Sequence, residues 1–306
     1  MRVLIVGAGS TGGFFGAKLA KAGRDVTFLV RPQRLAQLEQ DGLHVKSPAG
    51  DIEIAPQLVT AAQIQGPFDI VLVAVKAYAL ESALEDMAPA VGPDTVILPL
   101  LNGMRHMELL AEKFGKARLL GCACKVATCL DDNGRIVQQG TFNDVAYGEL
   151  DGTDSNRVAN VHEFMRDAGF DAKTSNTISR DMWEKWTLLA GMGSINCLLR
   201  GSIGDVVSVK GGREFADAVI DEVVTIIQAV GHQLSEPFLT EARRLLTLEG
   251  SPQTSSMYRD LVAGRAIEAD QIIGDLLVRA NAKGLGAPVL ALVYSNLLVY
   301  QLQSIK

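Results

Sequence analysis

Three glycines near the start of the chain stand at a spacing that suits phosphates. Gly7, Gly9 and Gly12 lie within Gly7-Ala8-Gly9-Ser10-Thr11-Gly12, directly after the apolar run Val3-Leu4-Ile5-Val6. In a G-x-G-x-x-G turn between a strand and a helix, the first glycine permits the tight turn. The second lets the backbone approach a pyrophosphate, and the third lets the helix pack closely on the strand. The helix N-terminus then offers unpaired N–H groups and a positive dipole end to the phosphates. Much further along, Lys185 sits between Trp183 and Trp186 in the stretch Arg180 to Ala190. Burial there disfavours the charged form and lowers a lysine pKa from about 10.4, while a nearby carboxylate would raise it. Such a lysine can protonate or polarise a carbonyl oxygen while a hydride arrives from a nicotinamide. A lysine on an amphipathic helix is also commonly a snorkelling surface residue, and helical periodicity alone does not separate the two.

The elements around the glycines complete a dinucleotide-binding unit. A helix of about twelve residues, Thr11 to Ala22, ends at Gly23, and a second strand follows from Asp25 to Val30, which closes a βαβ unit. The end of that second strand selects the nucleotide. An acid there would accept from a ribose 2′-OH; this chain has Arg31 instead, with Arg34 after it and no acid before Glu39. A guanidinium suits a 2′-phosphate through charge-assisted hydrogen bonds, which points to NADP(H). The alternative for Arg31 is an exposed residue at a helix start.

The whole chain bounds the rest. Its 306 residues suggest two domains, and 48% hydrophobic with 21% charged residues describes a soluble globular protein. A net charge of −6 argues against nucleic acid or an anionic membrane as the main partner. The longest apolar stretch, Ala287 to Tyr300, is interrupted by Pro288, Ser295 and Asn296 and reads as a buried helix. The N-terminal apolar run leads straight into the glycines, without the features of a signal peptide. Cys122, Cys124, Cys129 and Cys197 form no C-x-x-C pair, and the four histidines are scattered, so we expect reduced thiols, no metal site and a cytoplasmic location.

In chain order, Leu43 to Lys46 and Ile52 to Ala55 read as a hairpin. Phe68 to Val75 reads as a strand buried on both faces and ends at Lys76, on the carboxyl edge where doubly wound sheets place ligands. A solvated strand end would explain Lys76 equally simply. Thr95 to Leu98 leads into Asn102-Gly103, which either serves a left-handed turn or sets an amide beside a nicotinamide. Leu119 to Ala127 and Arg135 to Gln138 flank a turn, and a separate strand is expected at Val145 to Gly148. Beyond residue 175 the apolar residues recur at helical spacing, as in Phe215, Val219, Val223 and Ile226. The expected architecture is α/β: a Rossmann-like doubly wound sheet over residues 1–174, followed by an all-α domain over 175–306 that carries substrate and catalysis.

The glycine turn, Arg31, Lys76, Asn102-Gly103, Trp183-Glu184-Lys185 and Ser255-Ser256-Met257-Tyr258-Arg259-Asp260, with Glu268 beyond, occur in an order that resembles the ketopantoate reductase (2-dehydropantoate 2-reductase) family over essentially the full chain. The resemblance implies reduction of a 2-oxo acid by NADPH, ketopantoate to pantoate in the family's namesake. It implies that Lys185 is the general acid, that Asn102 holds nicotinamide and substrate, that Lys76 and Ala127 line the cofactor, and that Ser256 contacts the substrate. Glu268 would lie near the lysine and the cofactor ribose; its bland alternative is a helical pair with Arg265. One departure stands out. The family's asparagines four and eight residues after the lysine are Leu189 and Gly193 here, and a third is Ile203. Asn196 would substitute only if the helix bends, because eleven residues of straight helix span about 16 Å. Gly191, Gly193 and Gly201 make such a bend the expectation. Ketopantoate to pantoate is the reaction the resemblance leads us to expect; losing amides makes the site more apolar, which gives a less hydroxylated 2-oxo acid as the alternative substrate. Two other readings stay open: a hydroxy-acid or imine-type reductase, and a non-catalytic NADP(H) sensor. A helical domain with exposed apolar residues also suits a homodimer, though nothing in the sequence fixes its symmetry.

Overall fold

Because both of its neighbours are parallel strands, β1 (Arg2–Val6) can be apolar throughout its interior, and Val3, Leu4 and Ile5 are fully buried. The structure is a computed structural model describing residues 1–304. From β1 the chain runs through α1 (Ser10–Lys21), β2 (Asp25–Leu29), α2 (Pro32–Asp41), β3 (Leu43–Lys46), β4 (Ile52–Ile54), β5 (Gln57–Val59), β6 (Ile70–Val73), α3 (Leu80–Met87), β7 (Val96–Pro99) and α4 (Arg105–Phe114). It continues with β8 (Gly121–Leu130), β9 (Ile136–Gly148), α5 (Asn156–Met165) and β10 (Asp171–Thr174). The parallel sheet has the order β5-β2-β1-β6-β7. Strand order therefore reverses between β1 and β6, the switch point at which open α/β sheets bind ligands beyond the carboxyl ends of their strands.

A second sheet was not expected at this size. It has the order β10-β9-β3-β4, with β8 antiparallel to β9. The hairpin of β3 and β4 belongs to it, and the strand expected separately at Val145 to Gly148 is the far end of the long β9. Helix α1 lies between the two sheets. On one side a Cβ at Gly16 would strike the Phe28 ring of β2, and on the other a Cβ at Gly13 would come within 2.5 Å of Ile136 Cδ1 on β9. Small residues three apart in this helix are thus demanded by close approaches to each of the two sheets. Phe14 and Phe15, edge to face at 5.2 Å, fill the remaining core.

Among the described residues no strand follows β10. The helices are α6 (Ile178–Leu199), α7 (Ile203–Ser208), α8 (Gly212–Ala229), α9 (Glu236–Leu246), α10 (Ser256–Val262), α11 (Asp275–Ala282) and α12 (Pro288–Ser304). One turn of π-helix, Asp270–Gly274, runs directly into α11. The chain divides into two compact units, Met1–Leu101 with His106–Ser179, and Asn102–Arg105 with Arg180–Lys306. The turn Asn102–Arg105, read in sequence with the sheet strand that precedes it, therefore groups with the helices. No described helix is long and apolar enough to cross a membrane, and all four cysteines are free.

Candidate active site

In the first unit the three glycines take three different roles. Gly7 has φ +96, a conformation side chains rarely adopt, and a Cβ there would stand 3.0 Å from Val75 Cγ1 and 3.3 Å from Ala74 O, so the turn after β1 is pressed onto the chain leaving β6. A Cβ at Gly12 would overlap Gly7 O and stand 2.8 Å from Ala74 Cβ, so α1 approaches the strands as closely as backbone allows. Gly9 is the opposite case. A Cβ there would meet nothing within 4 Å. Gly9 caps α1 without any side-chain hydrogen bond, leaving the N–H groups of Ser10, Thr11 and Gly12 at the helix start to other acceptors. Ala8 is buried, and its carbonyl accepts from Arg34 Nε at 3.3 Å. Open space beside Gly9 at a helix N-terminus fits a pyrophosphate.

Arg31 and Arg34 separate clearly. Arg34 is spent on the protein: besides Ala8 it donates to Gln37 Oε1 at 2.6 Å and Gly134 O at 3.1 Å, stapling the glycine turn to the hairpin turn between β8 and β9. Burial pushes its pKa down. Arg31 is the exposed N-cap of α2, and its guanidinium donates to Ser82 Oγ at 2.9 Å. That serine hydroxyl in turn donates to Ala79 O at 3.1 Å, so Arg31 is oriented by α3. Lys76 is half-buried just past β6, at the switch point. Ala127 falls where the β8–β9 ladder changes register. Val126 faces Asn143 and Thr128 faces Gln138, leaving Gln139 to Phe142 looped out opposite Ala127. Bulges of this kind commonly re-aim backbone beside a site.

In the second unit Lys185 is half-buried on α6, with Leu189 half-buried one turn on and Gly193 buried one turn further. The expected amides are replaced by apolar volume. A Cβ at Gly193 would lie 2.8 Å from Met257 Cε, so the Met257 methyl occupies the space a longer residue would need. Ile203 is fully buried core. Ser256 is half-buried at the first turn of α10, which Ser255 caps by accepting from Tyr258 N at 3.0 Å.

Asn196 must be corrected as a substrate ligand. Helix α6 runs α-helical without interruption from Ile178 to Leu199, so its glycines supply no break. Asn196 itself is fully buried and committed to backbone. It donates to Gly201 O at 2.9 Å and accepts from Ser255 N at 2.8 Å, which ties the end of α6 to the start of α10. Asn196→Ala is expected to cost about 2–4 kcal/mol, because a buried donor and acceptor are left unpaired. Chemical denaturation would show it, with KM for either substrate unchanged in the protein that remains folded.

The tryptophans flanking Lys185 are structural. Trp183 stacks on His232, centroids 3.8 Å apart, and Arg279 lies 5.5 Å over Trp183 and 5.6 Å over Trp186. Arg279 is held by Asp275 at 3.2 Å, and burial together with the Arg279 charge lowers the His232 pKa. Glu184 caps α9, accepting from Ser235 N at 2.9 Å and Ser235 Oγ at 2.7 Å. Glu268 is buried, and its carbonyl accepts from Ile272 N at 3.0 Å as the chain enters the π-turn. Asn102 is half-buried beside Gly103, whose φ of +76 lets it press against Gln271; a Cβ there would stand 2.7 Å from Gln271 O. Gln271 was not anticipated from sequence. It is buried, with an unpartnered Nε2, and in a stretch that also holds Glu268, Asp270 and Asp275 nothing in the sequence singles it out.

Both units resemble known proteins. Residues 3–152 match the ketopantoate reductase PanE/ApbA family, and residues 177–301 match the ketopantoate reductase PanE/ApbA C-terminal family. An uncharacterized oxidoreductase of Bacillus subtilis, YkpB, is 35% identical over 98% of this chain and 99% of its own. A 2-dehydropantoate 2-reductase of Archaeoglobus fulgidus is 31% identical over 94% of each chain. The crystal structure of 2-dehydropantoate 2-reductase from Geobacter metallireducens superposes with a TM-score of 0.86, at 27% identity, covering 97% of this chain and 99% of that one. A glycine turn shaped for a nicotinamide dinucleotide, a Rossmann-like sheet and a helical unit bearing the lysine are thus joined in one lineage of oxidoreductases: the chain belongs to the ketopantoate reductase family.

Proposed function

We propose that this protein reduces a 2-oxo acid to the 2-hydroxy acid with NADPH. In the first unit, the helix N–H groups beside Gly9 bind the pyrophosphate, Arg31 binds the 2′-phosphate, and Lys76 and Ala127 line the cofactor. In the second unit, Asn102 orients nicotinamide and substrate, Ser256 contacts the substrate, and Lys185 Nζ donates a proton to the ketone oxygen. Glu268 assists the lysine and the cofactor ribose. Bound NADPH supplies the hydride. The observation that carries the reading is the placement of Lys185, half-buried on an uninterrupted helix, with Asp181 one turn before it and the apolar Leu189 and Gly193 one and two turns after it. A proton donor in apolar surroundings exerts a stronger pull on developing oxyanion charge than one in water.

The replaced amides support a substrate less hydroxylated than ketopantoate. Leu189 and the Met257 methyl over Gly193 offer apolar contact where family members offer hydrogen bonds, and Asn196 is not available to compensate. The test is NADPH oxidation with ketopantoate beside simple branched 2-oxo acids. Faster turnover of the branched acids is the expected result; ketopantoate best by a wide margin would end the substrate reading. Two charge-assisted contacts at about 1.5 kcal/mol each predict a preference for NADPH over NADH of roughly a hundredfold, lost in Arg31→Ala. Tight NADPH binding with no turnover of any 2-oxo acid would instead favour the sensor reading. On α12, Leu292, Val299 and Leu302 are exposed, which supports a homodimer, to be checked by light scattering. Four free thiols support a cytoplasmic setting.

A further inference from the structure

The π-turn Asp270–Gly274 is gripped at almost every residue by a different part of the helical unit. Tyr294 Oη on α12 donates to Asp270 Oδ1 at 2.5 Å, and the same ring packs where a Cβ at Gly274 would fall, 3.0 Å from its oxygen. Gly103 presses on the Gln271 carbonyl. Trp186 Nε1 on α6 donates to Ile272 O at 3.1 Å in the centre of the turn, and Trp186 is itself buried under Arg279, whose partner Asp275 opens α11. A π-turn holds one more residue than the α-turn it replaces, so within the turn that opens α11 the side chains depart from the spacing a regular helix would give them. Gln271 takes its direction from that extra residue, and Glu268 lies just before the turn, its carbonyl accepting from Ile272 N at 3.0 Å. Such turns are poorer in packing than α-helix and persist where tertiary contacts hold them.

We propose that the turn sets the register between Lys185 and the segment Glu268–Gln271, and that Trp186 is its positioning residue. Lys185 and Trp186 are successive residues of α6, about 100° apart around its axis. Fixing the Trp186 indole on Ile272 O therefore fixes the rotation of α6 and with it the direction in which Lys185 points. Trp186 touches neither substrate nor cofactor in this scheme; it acts through the lysine. The inference rests on the reductase reading for its kinetic consequence and on the turn alone for its structural one.

Trp186→Phe keeps an aromatic ring but removes the N–H together with the volume of the indole's second ring, so Tyr294→Phe, which removes only a hydroxyl, is read beside it. In Trp186→Phe kcat is expected to fall at least tenfold, with KM for NADPH within about twofold. The alkaline limb of the kcat–pH profile should move, and the isotope effect with 4-deuterated NADPH should rise, neither of which a loss of folded protein would produce. Tyr294→Phe, which releases the turn from α12, should give the same signature more weakly, and it carries the kinetic test if Trp186→Phe does not fold. Unchanged kcat and pH profile in the folded variants would overturn the proposal. Amide exchange gives a readout independent of turnover. Protection across Ile272 to Leu276 should drop at least tenfold in Trp186→Phe or Tyr294→Phe, and unchanged protection refutes the coupling. A wild-type protein that turns over no 2-oxo acid refutes the reductase reading alone, because the exchange experiment still decides the register.

Discussion

Lys185→Ala should lower kcat by about 10²–10⁴, the usual contribution of one positioned proton donor, while NADPH binds as before. The direction follows from the chemistry of the ketone. Hydride arriving at the carbon leaves charge on the oxygen, and without a donor that charge must be met by water or by nothing. Lys185→Arg tests the same point more finely. It keeps the positive charge yet offers a group that does not give up its proton, and its longer planar head does not fit a site built for a point charge. Both variants should remain inactive with NADPH bound, which stopped-flow fluorescence of the cofactor and single-turnover absorbance can follow together. Activity within tenfold of wild type in Lys185→Ala would remove the lysine from the reaction.

Gly9→Val should abolish NADPH binding and leave the fold alone. The backbone at Gly9 has φ −85 and ψ −163, open to any residue, and the side chain would enter empty space, so thermal stability should match wild type within a degree or two. That empty space is where the pyrophosphate is proposed to lie. Wild type at a hundredfold excess of NADPH over Kd should gain about 2.7 kcal/mol of stability, and Gly9→Val should gain none. Gly12→Ala makes the instructive contrast. Its Cβ collides with Gly7 O and Ala74, so it should lose about 3 kcal/mol or more before any nucleotide is added. Two glycines in one motif would then fail for separable reasons, one through the ligand and one through the fold. A normal NADPH-induced shift in Gly9→Val would place the pyrophosphate elsewhere.

Much of this was legible from sequence because it is local. A strand, a tight turn and a helix in succession dictate the roles of Gly7 and Gly12 within a few residues. The switch from alternating strands to helical periodicity near residue 175 is a property of windows, not of contacts. What escaped was decided at long range. Strands β5 and β10 are three and four residues long and carry little pattern. The continuity of β9 was hidden by Gln139 to Phe142, which leave the ladder opposite Ala127. Asn196 looked like a free amide because nothing near it in sequence shows that Gly201 and Ser255 claim it. The π-turn was invisible for a related reason. Asp270 to Gly274 reads as ordinary helix, and the groups that stretch it are Trp186, Tyr294 and Gly103, drawn from three distant parts of the chain.

The sandwiching of α1 also sets an order of events during synthesis. The sheet face of α1 rests on β2, made immediately after it, but its other face rests on Ile136, and β3 reaches its parallel partner only when Val45 finds Ile136. Pairings separated by roughly ninety residues close late, because the loop entropy must be met before the contact rewards it. A nascent chain of the first hundred residues therefore carries the complete glycine turn on a helix that β3 and β4 can cover but that still lacks β8 and β9. The glycine turn is written first, and the packing of its helix is completed last, when β9 leaves the ribosome.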